Sequence, residues 1–191
     1  MPMRTWVALL RGINVGGRNI LPMADLRACL TTLGYSDVKT YIQSGNCVFR
    51  TDAGRGDPSE GAAAISRDIA AAIETAAGFR PRVFVLTADA LHAAIAANPY
   101  PRQGLDDPKS VHFYFLSDPS ATVDMDALAP LRAGFEDVTR TGGIVYLYAP
   151  DGIGRSKLAE HIDRRIGTPV TARNLRTAMK LTDMARALSE A

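Results

Sequence analysis

WVALLRGINVGGRNILPMADLRACLTTLG (residues 6–34) is followed, after three residues, by VKTYIQSGNCVFR (residues 38–50). The apolar run of residues 6–13, closed at Gly12, has the length and composition of a buried strand. Residues 21–33 come next, with Pro22 in a first-turn position. There Met23, Leu26, Leu30 and Leu33 recur at helical spacing, and Gly34 stops the helix. Residues 38–43 and 46–50 read as two strands joined by a tight Ser44-Gly45 turn. Asp57-Pro58-Ser59-Glu60 then supplies an N-cap, a first-turn proline and an N3 glutamate. They open an alanine-rich helix with Ile65, Ile69 and Ile73 on one stripe, ending at Gly78. A strand at 82–86 follows, then a helix capped by Thr87 that carries Leu91 and Ile95.

The same order recurs downstream. Residues 111–116 predict a strand, and 122–132 a helix up to Gly134 with Pro130 as its weak point. Residues 137–141 and 144–149 predict a hairpin around Gly142-Gly143. A helix at 156–166 has Leu158, Ile162 and Ile166 on one face and stops at Gly167. A short strand at 169–173 leads to Asn174, which caps a last helix. Each half is therefore β-α-β-β-α-β with one trailing helix, and the predicted class is α+β: two tandem ferredoxin-like units. The expected boundaries are residues 1–98 for the first unit, 99–109 for a linker rich in turn formers, and 110–191 for the second unit.

Composition excludes several classes. With 191 residues, 47% of them apolar, the chain is not intrinsically disordered. Its 22 basic and 20 acidic residues leave +2, so no global field calls for a polyanion. Two cysteines, Cys29 and Cys47, are too few for a disulfide framework and read as thiols in a reducing compartment. Arg11 interrupts the N-terminal apolar run before it reaches the length of a signal peptide or membrane helix. A cytoplasmic protein with no membrane association is expected.

Four strings resemble a bacterial family known as domain of unknown function sixteen-ninety-seven. They are VALLRGINVGGRNILPMADLR (7–27), TYIQSGNCVF (40–49), GRSKL (154–158) and TARNLRTAMKL (171–181). At Leu175, after the Arg-Asn of the last string, the family would have an aromatic. The resemblance implies a fold of two tandem ferredoxin-like units, and it implies no activity.

The candidate site residues gather at predicted strand ends and helix starts. In Arg11-Gly-Ile-Asn14-Val-Gly16-Gly17-Arg18-Asn19, glycines allow close approach of a ligand to the backbone and a helix start follows. Arg11 and Arg18 add charge; Asn14 and Asn19 add directional hydrogen bonds, or bond their own loop. Gln43, Ser44 and Asn46 surround the hairpin turn. Arg155, Ser156 and Lys157 stand where basic residues oppose a helix macrodipole, a placement that a bound anion explains and an exposed turn also permits. Arg173 and Asn174 repeat that arrangement, with capping alone sufficient for the asparagine.

The reading adopted is a binding protein for an anionic small ligand, a nucleotide or phosphorylated metabolite. An enzyme of unknown class in the same cleft is the first alternative, with a carboxylate, a histidine or Cys47 near the glycine loop. The second is single-stranded nucleic acid stacked on a sheet face carrying Tyr114, Tyr146 and Tyr148, which the near-neutral charge disfavours. His92, His112 and His161 have no metal-ligand spacing, and no catalytic string is recognisable, so neither metal nor cofactor is expected.

Overall fold

The computed structural model describes residues 3–52 and 56–190. Six consecutive buried residues, Thr5 to Leu10, make β1 (Arg4–Arg11) the centre of the first sheet. It pairs antiparallel with β3 (Asn46–Thr51) and β4 (Arg82–Thr87), and β3 pairs with β2 (Ser36–Tyr41). The strand order is β2-β3-β1-β4. The helices α1 (Met23–Thr32) and α2 (Pro58–Ala77) bring Leu26, Leu30, Ile65, Ile69 and Ile73 onto Trp6, Ala8, Leu10 and Phe49. The α2 start is as the sequence predicts: Asp57 accepts from the Ser59 N–H at 2.8 Å, Pro58 is in the first turn, and Gly78 ends the helix at φ +76°. Thr87 then accepts from the Ala90 N–H at 3.1 Å at the head of α3 (Ala88–Ala96).

The second sheet has the matching order β6-β7-β5-β8. It is built from β5 (Val111–Leu116), β6 (Asp137–Thr141), β7 (Ile144–Tyr148) and β8 (Val170–Asn174), all antiparallel. Between these strands lie α5 (Met125–Leu128) and α6 (Lys157–Arg165), and α7 (Leu175–Ser189) follows. Leu158, Ile162 and Ile166 pack on Tyr114, Leu116, Val145 and Leu147. Contacts group the chain into two compact units, residues up to His92 together with those from Lys180, and Ala93–Met179. The 99–109 segment, expected as a linker, contains α4 (Pro101–Asp106), with Pro101 in the first turn. No helix of the described residues is long and apolar enough to cross a membrane. Neither cysteine is in a disulfide, and both are buried.

Three local expectations are corrected. The helix predicted over 122–132 is one turn, because Asp124 caps it by accepting from the Ala127 N–H at 2.9 Å and Pro130 falls in a 3-10 turn at Ala129–Leu131. The first hairpin turns over residues 42–45 rather than two, since Ile42 takes φ +50° and leaves the strand. The proposed tyrosine platform does not form. Register sets Tyr114 opposite Val145 and Phe113 opposite Tyr146, so Tyr114 and Tyr146 point to opposite faces. Both are buried, and Tyr146 donates to the Ala94 carbonyl at 2.8 Å.

Candidate functional site

In the first unit the glycine loop is a small hairpin of its own. Val15 and Arg18 bridge across Gly16-Gly17, and the Asn14 N–H donates to the Asn19 carbonyl at 3.1 Å. Asn14 and Asn19 take φ +53° and +51°, a region asparagine tolerates. Their side chains serve the loop. Asn14 Nδ2 donates to the carbonyls of Leu21 and Gln43, both at 2.9 Å, while its Oδ1 accepts from the Leu21 N–H at 2.8 Å. Asn19 Nδ2 donates to the Gly12 carbonyl at 2.9 Å. The bond from Asn14 to Gln43 brings the loop and the Gln43–Asn46 turn together. Asn46 is buried and bonds the Tyr41 carbonyl and Ser44 Oγ. Gly45 is compelled by φ +77°, and a Cβ there would lie 2.7 Å from Leu10 Cβ. Arg11, Arg18 and Gln43 are exposed, and the side chains of Arg18 and Gln43 have no partner among the described residues. Cys47 lies wholly in the core, its thiol directed at the Ala8 carbonyl at 3.8 Å.

The second unit holds a cleft of about 370 Å³ at the start of α6, lined by Tyr114, Arg155, Lys157 and Glu160 among others. A 3-10 turn, Ile153–Arg155, delivers the chain to Ser156, which is buried and accepts from the Ala159 N–H at 2.9 Å. That cap satisfies one first-turn donor; the N–H groups of Lys157 and Leu158 have no acceptor in the described residues. Arg155, Lys157 and Glu160 are all exposed, and no ion pair joins any two of them.

Tyr114 reaches this cleft from the middle of β5. It is only 4% exposed, and its hydroxyl has no hydrogen-bond partner among the described residues. Burial, reinforced by the Asp163 charge, pushes its pKa up, so the phenol stays protonated as a donor. The sequence offered Tyr114 only as a stacking surface and passed over Glu160. Alternation along β5 groups His112, Tyr114 and Leu116 on one face, as read from the sequence; the packing of α6 over that face is what the sequence does not show.

Arg173 is not part of this group. It pairs in register with Phe113 on the opposite face from Tyr114, and it donates to Thr171 Oγ1 at 3.0 Å and the Ala172 carbonyl at 2.8 Å. Asn174 caps α7 by accepting from the Thr177 N–H at 2.9 Å. His112 is buried with Nε2 unpartnered, and burial holds its pKa at about 4. The described residues contain no group of three or more His, Cys, Asp or Glu that could hold a metal ion.

Among solved structures, the conserved bacterial protein SP0830 from Streptococcus pneumoniae is similar, with a TM-score of 0.68 over 96% of this chain and 99% of that one. At 24% identity that likeness concerns the fold alone. No curated protein matches. The family described as "Protein of unknown function (DUF1697)" matches residues 3–146, most of the sequence. The chain belongs to that family.

Proposed function

We propose that the protein binds a small anionic ligand, a nucleotide or phosphorylated metabolite, in the cleft at the start of α6. The observation that carries the reading is Tyr114: its side chain is only 4% exposed, its hydroxyl has no hydrogen-bond partner among the described residues, and it lines one cleft with Arg155 and Lys157 at the helix start. A ligand oxygen in the cleft would accept a hydrogen bond that this hydroxyl otherwise gives only to solvent. Lys157 and Arg155 oppose the α6 macrodipole, a placement that a bound anion offsets. The two units are read here as ferredoxin-like, on their shared element order and their matching antiparallel strand orders. Cytoplasmic residence belongs to the same reading, supported by two buried cysteines that form no disulfide.

Titration with inorganic phosphate, followed by backbone amide NMR against a chloride control of equal ionic strength, tests it. The Lys157 and Leu158 amides should shift with saturation. An Arg155→Ala/Lys157→Ala variant should weaken binding at least about tenfold, by loss of charge-assisted bonds. Non-saturating shifts, or equal affinity in the variant, would overturn the reading.

A further inference from the structure

The charges in the cleft form an unusual set. Arg155, Lys157 and Glu160 line one cleft, yet neither cation pairs with the carboxylate and none of the three has another partner among the described residues. Arg155 and Lys157 stand at the α6 start beside the free N–H groups; Glu160 lies three residues into the same helix. An anion-binding cleft gains nothing from a carboxylate, which repels the ligand it shares space with. A carboxylate accepts hydrogen bonds only, so a ligand that uses it must bring donors. The volume, about 370 Å³, is near the lower end of the roughly 300–1,000 Å³ of small-molecule sites. That suits one phosphate with one sugar-sized group.

We infer that the ligand is a phosphomonoester of a polyhydroxylated carbon skeleton, such as a pentose phosphate or the ribose phosphate of a mononucleotide. In this arrangement the phosphate lies against Arg155, Lys157, the Tyr114 hydroxyl and the helix-start N–H groups, and neighbouring hydroxyls donate to Glu160. The inference rests on the anion reading above and adds the identity of the group beside the phosphate. Ile153, 43% exposed at the rim, offers apolar contact to the carbon skeleton.

The experiment compares methyl phosphate, ribose 5-phosphate and phosphoethanolamine on the wild-type chain and on Glu160→Gln, reading dissociation constants from the Lys157 and Leu158 amides. In wild type, ribose 5-phosphate should bind about tenfold tighter than methyl phosphate, through charge-assisted bonds to Glu160. Glu160→Gln should reduce that ratio to about twofold while tightening methyl phosphate, because repulsion is removed. The two effects have opposite signs, which a general loss of structure would not produce. Equal binding of the two esters by wild type would overturn this inference and leave anion binding standing. Tightest binding of phosphoethanolamine would also overturn it, since Glu160 would then select an ammonium. If none of the three binds, the anion reading fails and this inference fails with it.

Discussion

Lowering the pH from 8 to 5 is a perturbation aimed at one side chain, His112. It is 6% exposed on β5, and its Nε2 is buried without a partner, so protonation would put an unpaired cation inside the second unit. Burial is the dominant influence and lowers its pKa from 6.5 to about 4; the Lys109 backbone and the Asp107 charge pull the other way without prevailing. The sign follows from proton linkage. Between the two values the unfolded chain takes up a proton that the folded chain refuses. Stability is therefore complete above about pH 6.5 and is lost as the pH falls toward 4, below which both forms are protonated. At pH 5 the unfolded chain sits about 1.5 units below its own pKa, which at roughly 1.36 kcal/mol per unit removes about 2 kcal/mol. Asp57 and Asp118 also have lowered values, but their contribution is lost only below the carboxylate range near 3.8, so pH 5 isolates the histidine. Urea unfolding followed by circular dichroism at pH 8 and pH 5 measures the loss. His112→Leu should reduce it to about 0.5 kcal/mol or less. The same pH dependence in both proteins would refute the reasoning.

Two further perturbations address the rim of the first unit. Asn14→Asp keeps the bond from the Leu21 N–H but replaces two donated bonds with a carboxylate facing the Leu21 and Gln43 carbonyls. About 2 kcal/mol of stability should be lost, visible as a lower thermal midpoint; an unchanged midpoint would show that water replaces those bonds without cost. Ile42 is a β-branched residue at φ +50° with its side chain 52% exposed. Ile42→Gly should gain about 1 kcal/mol in urea unfolding by relieving that backbone, and a loss would mean that the exposed side chain contributes more than the strain costs.

Elements whose apolar spacing matches their period could be read directly from the chain. The stripe Ile65, Ile69 and Ile73 with Asp57 and Gly78 at its ends needs no tertiary information, and neither do the alternating residues of β5. Failures occur where local signals compete. Pro101 and Pro108 bracket a stretch that looks like linker, yet Pro101 suits a first helical turn and Gly104 packs where a Cβ would meet Leu175 Cδ2 at 2.5 Å. In the 122–132 stretch, Asp124 caps a helix of one turn, and Pro130 falls in the 3-10 turn that follows it. Ile42 looks like a strand residue because its side chain favours strands; the turn imposes a left-handed backbone on it.

The polar residues of the candidate site were less legible for a physical reason. An asparagine that bonds a ligand and one that bonds its own loop present the same letter, and only backbone geometry separates them. Asn14, Asn19, Asn46 and Asn174 all turn out to bond nearby backbone groups, and Ser156 caps its helix. Charged side chains are more informative, because a cation at a helix start is unfavourable without a counter-charge and structure alone does not require it. Arg155 and Lys157 meet that criterion, whereas Arg173 is occupied by Thr171 and Ala172. Tyr114 completes the group but could be assigned only once the register of β5 and β7 was known. A one-residue slip would have turned it to the other face, away from α6 and the cleft. The strand pairing therefore decides whether Tyr114 lines the cleft at the start of α6 beside Arg155 and Lys157.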